Sequence, residues 1–138
     1  MTEIIITKDY LKSHQNEIFV FGDNTLHQGK GGAAALRNES NVYGFITKRY
    51  PNNDDKSFYK PVVYAEIYAI EIDKLKNAIE SNQDKIFLIS KLGAGLANRY
   101  NIFEKVIAKF IKNDLSAYKN VKFLWWGVLC YQGQREIK

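Results

Sequence analysis

Cysteine is nearly absent from this chain: Cys130 stands alone among 138 residues. A single thiol cannot close an internal disulfide, so the fold must rest on its own core, as suits a reducing compartment. Proline occurs only twice, which leaves long stretches free for regular helices and strands. The two histidines, His14 and His27, lie too far from each other and from Cys130 for a standard zinc spacing, so no metal site is expected. No apolar run approaches the roughly 18 residues of a membrane span. The opening segment, acidic at Glu3 and with a short isoleucine run, lacks the form of a signal peptide. A cytoplasmic protein with no membrane partner is the expectation.

Acidic residues are the minority. Fifteen Asp and Glu face twenty Lys and Arg, for a net charge of +5. That balance favours an anionic partner, a nucleotide or a nucleic acid. The basic residues are scattered, and the only adjacent pair is Lys48-Arg49. With 46% hydrophobic and 25% charged residues, the chain can bury a packed core. Its length fits one domain over residues 1–138.

The stretch Glu17 to Arg37, EIFVFGDNTLHQGKGGAAALR, organises the reading. An apolar strand from Glu17 to Phe21 turns through Gly22-Asp23-Asn24 and crosses Gly29, Gly31 and Gly32. A short helix is expected from Gly31 to Arg37. Strand, glycine loop and helix start together offer bare backbone N–H groups to an anion, and glycine lets the chain come close to a phosphate. A second loop, Lys91 to Tyr100, follows a strand at Lys85–Ser90 and repeats the design with Gly93-Ala94-Gly95. Ligands in open α/β sheets bind beyond the carboxyl ends of the strands, so the two loops are expected to wall one cleft. Neither loop carries the P-loop or the full dinucleotide-binding fingerprint, and no cofactor is expected.

Further strands are expected at Glu3–Thr7, at Asn41–Thr47, where Gly44 is a weak point, and at Val121–Trp126; Phe58–Ala65 is ambiguous, with Val62-Val63-Tyr64 suggesting another strand, and one helical turn is expected at Asp9–Ser13. Helices are expected at Ile70–Ser81 and Ile102–Lys112, the latter with Ile102, Phe103, Val106, Ile107, Phe110 and Ile111 on its apolar side. Alternating strands and helices give the α/β class with a mixed, mostly parallel sheet.

The motifs resemble those of macrodomains. Phe19-Val-Phe-Gly-Asp-Asn24, then Gly29-Lys-Gly-Gly32, then Leu92-Gly-Ala-Gly-Leu-Ala97 stand in the order of their two ligand loops. The closer similarity is to a macrodomain-like family of small bacterial and phage proteins reading FVFGDN, GKGGQA-IR, N--GIPTK and G-GTGLA. The resemblance implies a three-layer sandwich that binds ADP-ribose or a related NAD-derived nucleotide. It also implies, for some members, a hydrolase acting on an ADP-ribosyl or phosphate ester bond. Asn24 would then meet the distal ribose, with Gly29 to Gly32 lining the same end, and Gly93, Ala94, Gly95 and Leu96 would wrap the diphosphate. Trp126 or Tyr131 would lie by the ribose or adenine. This chain departs from the pattern at Ala33, Ile46 and Ala94, where the family has glutamine, proline and threonine. Backbone binding survives those changes; side-chain catalysis is what they weaken.

Gly22 belongs to the turn that opens the first loop. Two readings of Asp23 stand open: a general base for water, with Asn24 beside it as a catalytic partner, or a turn residue bonded to its own backbone. His27 is either an exposed loop residue or a group that contacts a phosphate or shuttles a proton. Lys30 is either a phosphate partner as a point charge or a solvated lysine. Thr47 and Lys48 end a strand and reach the cleft from the side. The competing function is that of a small basic nucleic-acid-binding protein, although no recognised motif supports it.

Overall fold

The computed structural model describes residues 2–126. Cys130 and Tyr131 lie outside them. The first strand, β1 (Thr2–Glu3), is far shorter than the isoleucine run suggests. Among the described residues it pairs antiparallel with β6 (Trp125–Trp126). The run stops early because Thr7 is already committed as the N-cap of α1 (Lys8–Ser13), its hydroxyl accepting from the Tyr10 N–H at 3.1 Å.

Among the described residues the sheet proper has four strands: β2 (Glu17–Asn24), β3 (Val42–Lys48), β4 (Ile86–Ile89) and β5 (Val121–Phe123). Their order is β3-β2-β4-β5, and every pairing is parallel. This is a mixed α/β fold with a mostly parallel sheet flanked by helices, consistent with a three-layer sandwich. On one face Val20, Phe45, Phe87 and Ile89 pack into the main core. That core is completed by α2 (Pro61–Glu80) and by a helical segment with a π-helical turn (Phe103–Ile107) running into α3 (Ala108–Asp114). Alternation sends Phe21 and Leu88 to the opposite face, where the Arg37 guanidinium lies 5.4 Å from the Phe21 ring centroid.

Two expectations need correction. Residues 58–65 do not form a strand: α2 begins at Pro61, and Tyr64, Tyr68, Ile72, Leu75 and Ile79 line its buried side. Helical periodicity and a proline in the first turn override the β-branched pair Val62-Val63. The helix expected at Gly31–Arg37 is only a 3₁₀ turn, Gly32–Ala34. An alanine run this short cannot repay helix nucleation without a packed face, and Ala33 and Ala35 are exposed. Phe110, placed on the apolar side of its helix by periodicity, is half exposed against Tyr68.

Helix α2 also closes the outer edge of β3. Its buried Glu71 accepts from the Ile46 N–H at 2.9 Å, and the Tyr64 hydroxyl donates to the Ile46 carbonyl at 2.6 Å. Both outward backbone groups of Ile46 are thereby satisfied, which removes part of an open sheet edge.

Candidate functional site

The loops after β2 and β4 lie side by side because those strands are neighbours, with β3 on the far side of β2. The chain reverses direction across the sheet here, and this is where open α/β sheets place their ligand crevice. A cleft of about 260 Å³ opens at the carboxyl ends. From β2 and its turn come Gly22, Asp23 and Asn24; from the first loop Gln28, Gly29 and Gly31; from the end of β3 Thr47 and Lys48. The opposite wall is Ser90 to Gly93 with Gly95 and Leu96, and Asn52 and Asn53 form a third side.

Three expected residues fall elsewhere. Lys30 lines a separate groove with Lys8 and Lys12. Gly32 and Ala94 line a neighbouring cleft of about 440 Å³ walled by Ile4, Ile6, Phe19 and Leu36. The two clefts share Ser90, Lys91, Gly95 and Ala33, so the second loop is a partition between them.

The first loop is built by side chains turned inward. Asn24 Oδ1 accepts from the Leu26 N–H at 3.1 Å, and Asn24 Nδ2 donates to the Gln28 carbonyl at 2.8 Å. This is an Asx-type turn, and it places the amide of Asn24 within the loop. Arg37 closes the other side, its Nε donating to the Gly29 carbonyl at 2.7 Å and its Nη2 to the Gln28 carbonyl at 3.0 Å. The same Nη2 stands 2.7 Å from Asp23 Oδ1. His27, at φ 54, turns its Nδ1 to Asp23 Oδ2 at 2.8 Å and lines a different cleft, with Tyr43, Tyr59 and Lys74.

Asp23 is thus a buried carboxylate with three donors, the third being the Asn24 N–H at 2.7 Å. Burial alone would raise its pKa. The hydrogen bonds from Arg37, His27 and Asn24, with the Arg37 charge, outweigh that and hold it below the usual carboxylate value. Gly44 makes the room: a Cβ there would collide with the Asp23 carboxylate. What looks in the sequence like a weak point of β3 is the space for a buried charge.

The second loop is held differently. Gly93 sits at φ 79, and a Cβ on it would come within 2.7 Å of Ile107, so it is a packing and turn glycine. Gly95 has φ −91 and open space where its Cβ would be. Leu96 reaches across to the first loop, 3.2 Å from the position of a Cβ on Gly32. Among the described residues, nothing accepts from the N–H groups of Gly29, Gly31, Gly93, Gly95 or Leu96. A group of free amides on two facing loops suits an anion.

Arg37, Gln28 and Gly44 carry the architecture of the site, and the sequence signal for them is faint. Arg37 reads as the end of a helix, and Gly44 as a flaw in a strand. Among the described residues no group of three His, Cys, Asp or Glu side chains is placed to hold a metal ion, and no helix is long and apolar enough to cross a membrane.

A protein-family model, described as a family of unknown function (DUF7831), matches residues 1–100. That span contains both glycine loops, from Gly22 to Leu96. No curated protein and no solved structure matches the chain.

Proposed function

We propose a function on the premise that the chain belongs to DUF7831, a family of unknown function: it binds ADP-ribose or a related NAD-derived nucleotide between its two glycine loops. The fold is read as macrodomain-like on the motifs quoted above. One observation carries the reading. Gly29 and Gly31 on one loop and Gly93, Gly95 and Leu96 on the other line a single cleft at the carboxyl ends of β2, β3 and β4, and among the described residues nothing accepts from their N–H groups.

The two clefts support a ligand that straddles the second loop. The larger, walled by Ile4, Ile6, Phe19 and Leu36, has the apolar character a nucleobase requires. The smaller takes the distal sugar beside Asn24, with Thr47 and Lys48 at its side and the diphosphate over Gly93 to Leu96. Turnover, in this reading, is hydrolysis of an ADP-ribosyl or phosphate ester bond at the sugar end. A carboxylate held below its usual pKa is a weak base. Asp23 therefore serves mainly to set the loop, and a catalytic duty for Asp23 or Asn24 is a matter for a turnover assay on their variants.

The nucleic-acid reading gains little from this surface. Phe58 and Tyr59 are buried beneath Lys48, Arg99 and Arg49, so those rings offer no open face for base stacking.

Calorimetric titration with ADP-ribose, followed by mass analysis of the incubated ligand, tests the proposal. Saturable one-site binding is expected, and a product differing by the elements of water would add hydrolysis. A folded protein that gives no saturable signal refutes the binding claim.

A further inference from the structure

The outer edge of β3 is closed at one end and open at the other. The Phe19 N–H donates to the Asn41 carbonyl at 3.0 Å, and Phe19 is the register partner of Val42. In a parallel ladder this makes Asn41, Tyr43 and Phe45 the residues that bond β2. It turns the backbone groups of Val42, Gly44 and Ile46 outward. Glu71 and Tyr64 satisfy those of Ile46. Among the described residues nothing bonds the outward N–H or carbonyl of Val42 or Gly44. Proteins usually blunt such an edge with a charge or a proline, and Val42-Tyr43-Gly44 carries neither.

A cleft of about 420 Å³ opens beside these groups. Tyr43, Gly44 and Ile46 of β3 line it together with Ile67 and Ile70 of α2, and Tyr59 adds a second aromatic ring. Ile70 is 55% exposed, so the fold leaves an apolar side chain uncovered next to unpaired backbone. The cleft shares no lining residue with the one between the glycine loops.

Charge around this edge is mostly of one sign. Glu71 is the carboxylate of the lining, and it is buried. Its oxygens are engaged by the Ile46 N–H and by Lys74 at 3.5 Å. The Arg49 guanidinium lies 4.5 Å from the centroid of the Tyr59 ring. Among the described residues no carboxylate is within ion-pair distance of Arg49. Glu66 and Asp73 are exposed on α2 and do not line the cleft. Lys74 and Arg49 against one engaged carboxylate favour a partner with negative charge, as does the net charge of +5. The same net charge sets two copies of this chain against each other.

We propose that this edge is a peptide-docking surface: an extended, acidic segment of a partner protein adds a strand to β3 at Val42 and Gly44 and sets an apolar side chain against Tyr43, Ile67 and Ile70. Main-chain hydrogen bonds give such additions their affinity, and alternate side chains give them specificity. The added strand is short, because Glu71 and Tyr64 already occupy the ladder position at Ile46.

The probe is the fluorescein-labelled peptide EVEIEVE, titrated by polarisation into the wild type, Ile70→Asp and Arg49→Gln. Saturable binding to the wild type is expected. Ile70→Asp should keep its melting temperature and lose about tenfold or more in affinity, and Arg49→Gln should lose less. The basic peptide KVKIKVK should bind the wild type about tenfold or more weakly than EVEIEVE. N-methylation of the central isoleucine or of the glutamate after it should weaken binding in one case and spare it in the other, because successive N–H groups of a strand point to opposite edges. No saturable binding overturns the proposal. So does affinity that folded Ile70→Asp or both N-methylated peptides retain, or equal affinity for the acidic and basic peptides. A wild-type dimer in sedimentation that Ile70→Asp dissociates would give the edge to a second copy of this chain instead.

Discussion

The Arg37 guanidinium stands 2.7 Å from the Asp23 carboxylate, and the same side chain holds the carbonyls of Gln28 and Gly29. One buried ion pair therefore anchors the first glycine loop to the end of β2. Removing one partner leaves the other charge buried without its main compensation, which costs about 3–5 kcal/mol in such pairs. Arg37→Met should lower unfolding stability by about the lower end of that range, because His27 still donates to Asp23. Urea denaturation measures it. A change below about 1 kcal/mol would match a surface ion pair instead.

Asp23 also sets an acid limit on stability. Its folded pKa is depressed, so its contribution is fully present above the unfolded value of about 3.9. It is lost as pH falls through the folded value. The wild type should lose stability below about pH 4 more steeply than Asp23→Asn, with the difference between them constant from about pH 5 to 7. Melting temperatures across that range check the sign.

Gly44→Ala should destabilise through Asp23 and not through the strand. Alanine has ordinary strand geometry, but its Cβ would meet the Asp23 carboxylate, and overpacking of this kind costs about 1–3 kcal/mol. In the background of Asp23→Ala the added methyl should cost much less. Additive effects in the double mutant would mean that the two residues do not share the space.

The route from sequence to site was open in some places and closed in others. β2 and β4 are legible because short apolar runs lead into glycine-bearing loops, and β3 because its apolar run stops at the polar stretch after Lys48; their parallel order brings both loops to one edge. Pro61 with the spacing of Tyr64, Tyr68, Ile72, Leu75 and Ile79 also announces α2, but Val62-Val63 masks it when local β-propensity is weighed first. The clamp on the first loop was not legible. Arg37 acts eight and nine residues back along the chain, on Gly29 and Gln28, and nothing in helical periodicity marks such a contact. The roles of the second-loop glycines were likewise hidden: positive φ belongs to Gly93, while Gly95 borders open space.

That difference gives a paired prediction. Gly93→Ala should cost stability, since φ 79 and the contact with Ile107 both disfavour a side chain. Gly95→Val should instead spare most of the stability and abolish nucleotide binding, because its side chain projects into the cleft. Ala94→Ser should retain binding. Thermal melts and titrations on the three proteins separate the effects. Equal affinities for folded Gly95→Val and Ala94→Ser would remove the second loop from the site.

Asn24→Ala should loosen the first loop as well as weaken binding, because its amide holds Leu26 and Gln28. A stability loss of about 1 kcal/mol is expected, because Leu26 and Gln28 are exposed to water and the Gln28 carbonyl keeps its bond from Arg37. Asn24→Asp keeps the acceptor for Leu26 and should fall between the two. Wild-type affinity in folded Asn24→Ala would separate this turn from ligand binding.

Amide chemical-shift mapping during titration with ADP-ribose tests the nucleotide-binding cleft most directly. If the ligand lies between the loops, the N–H signals of Gly29, Gly31, Gly93, Gly95 and Leu96 should move together and saturate with one dissociation constant, while Val62 and Ile70 on the exposed side of α2 stay in place. No movement in either loop at saturating ligand, or movement confined to residues outside the cleft, would contradict binding at this site.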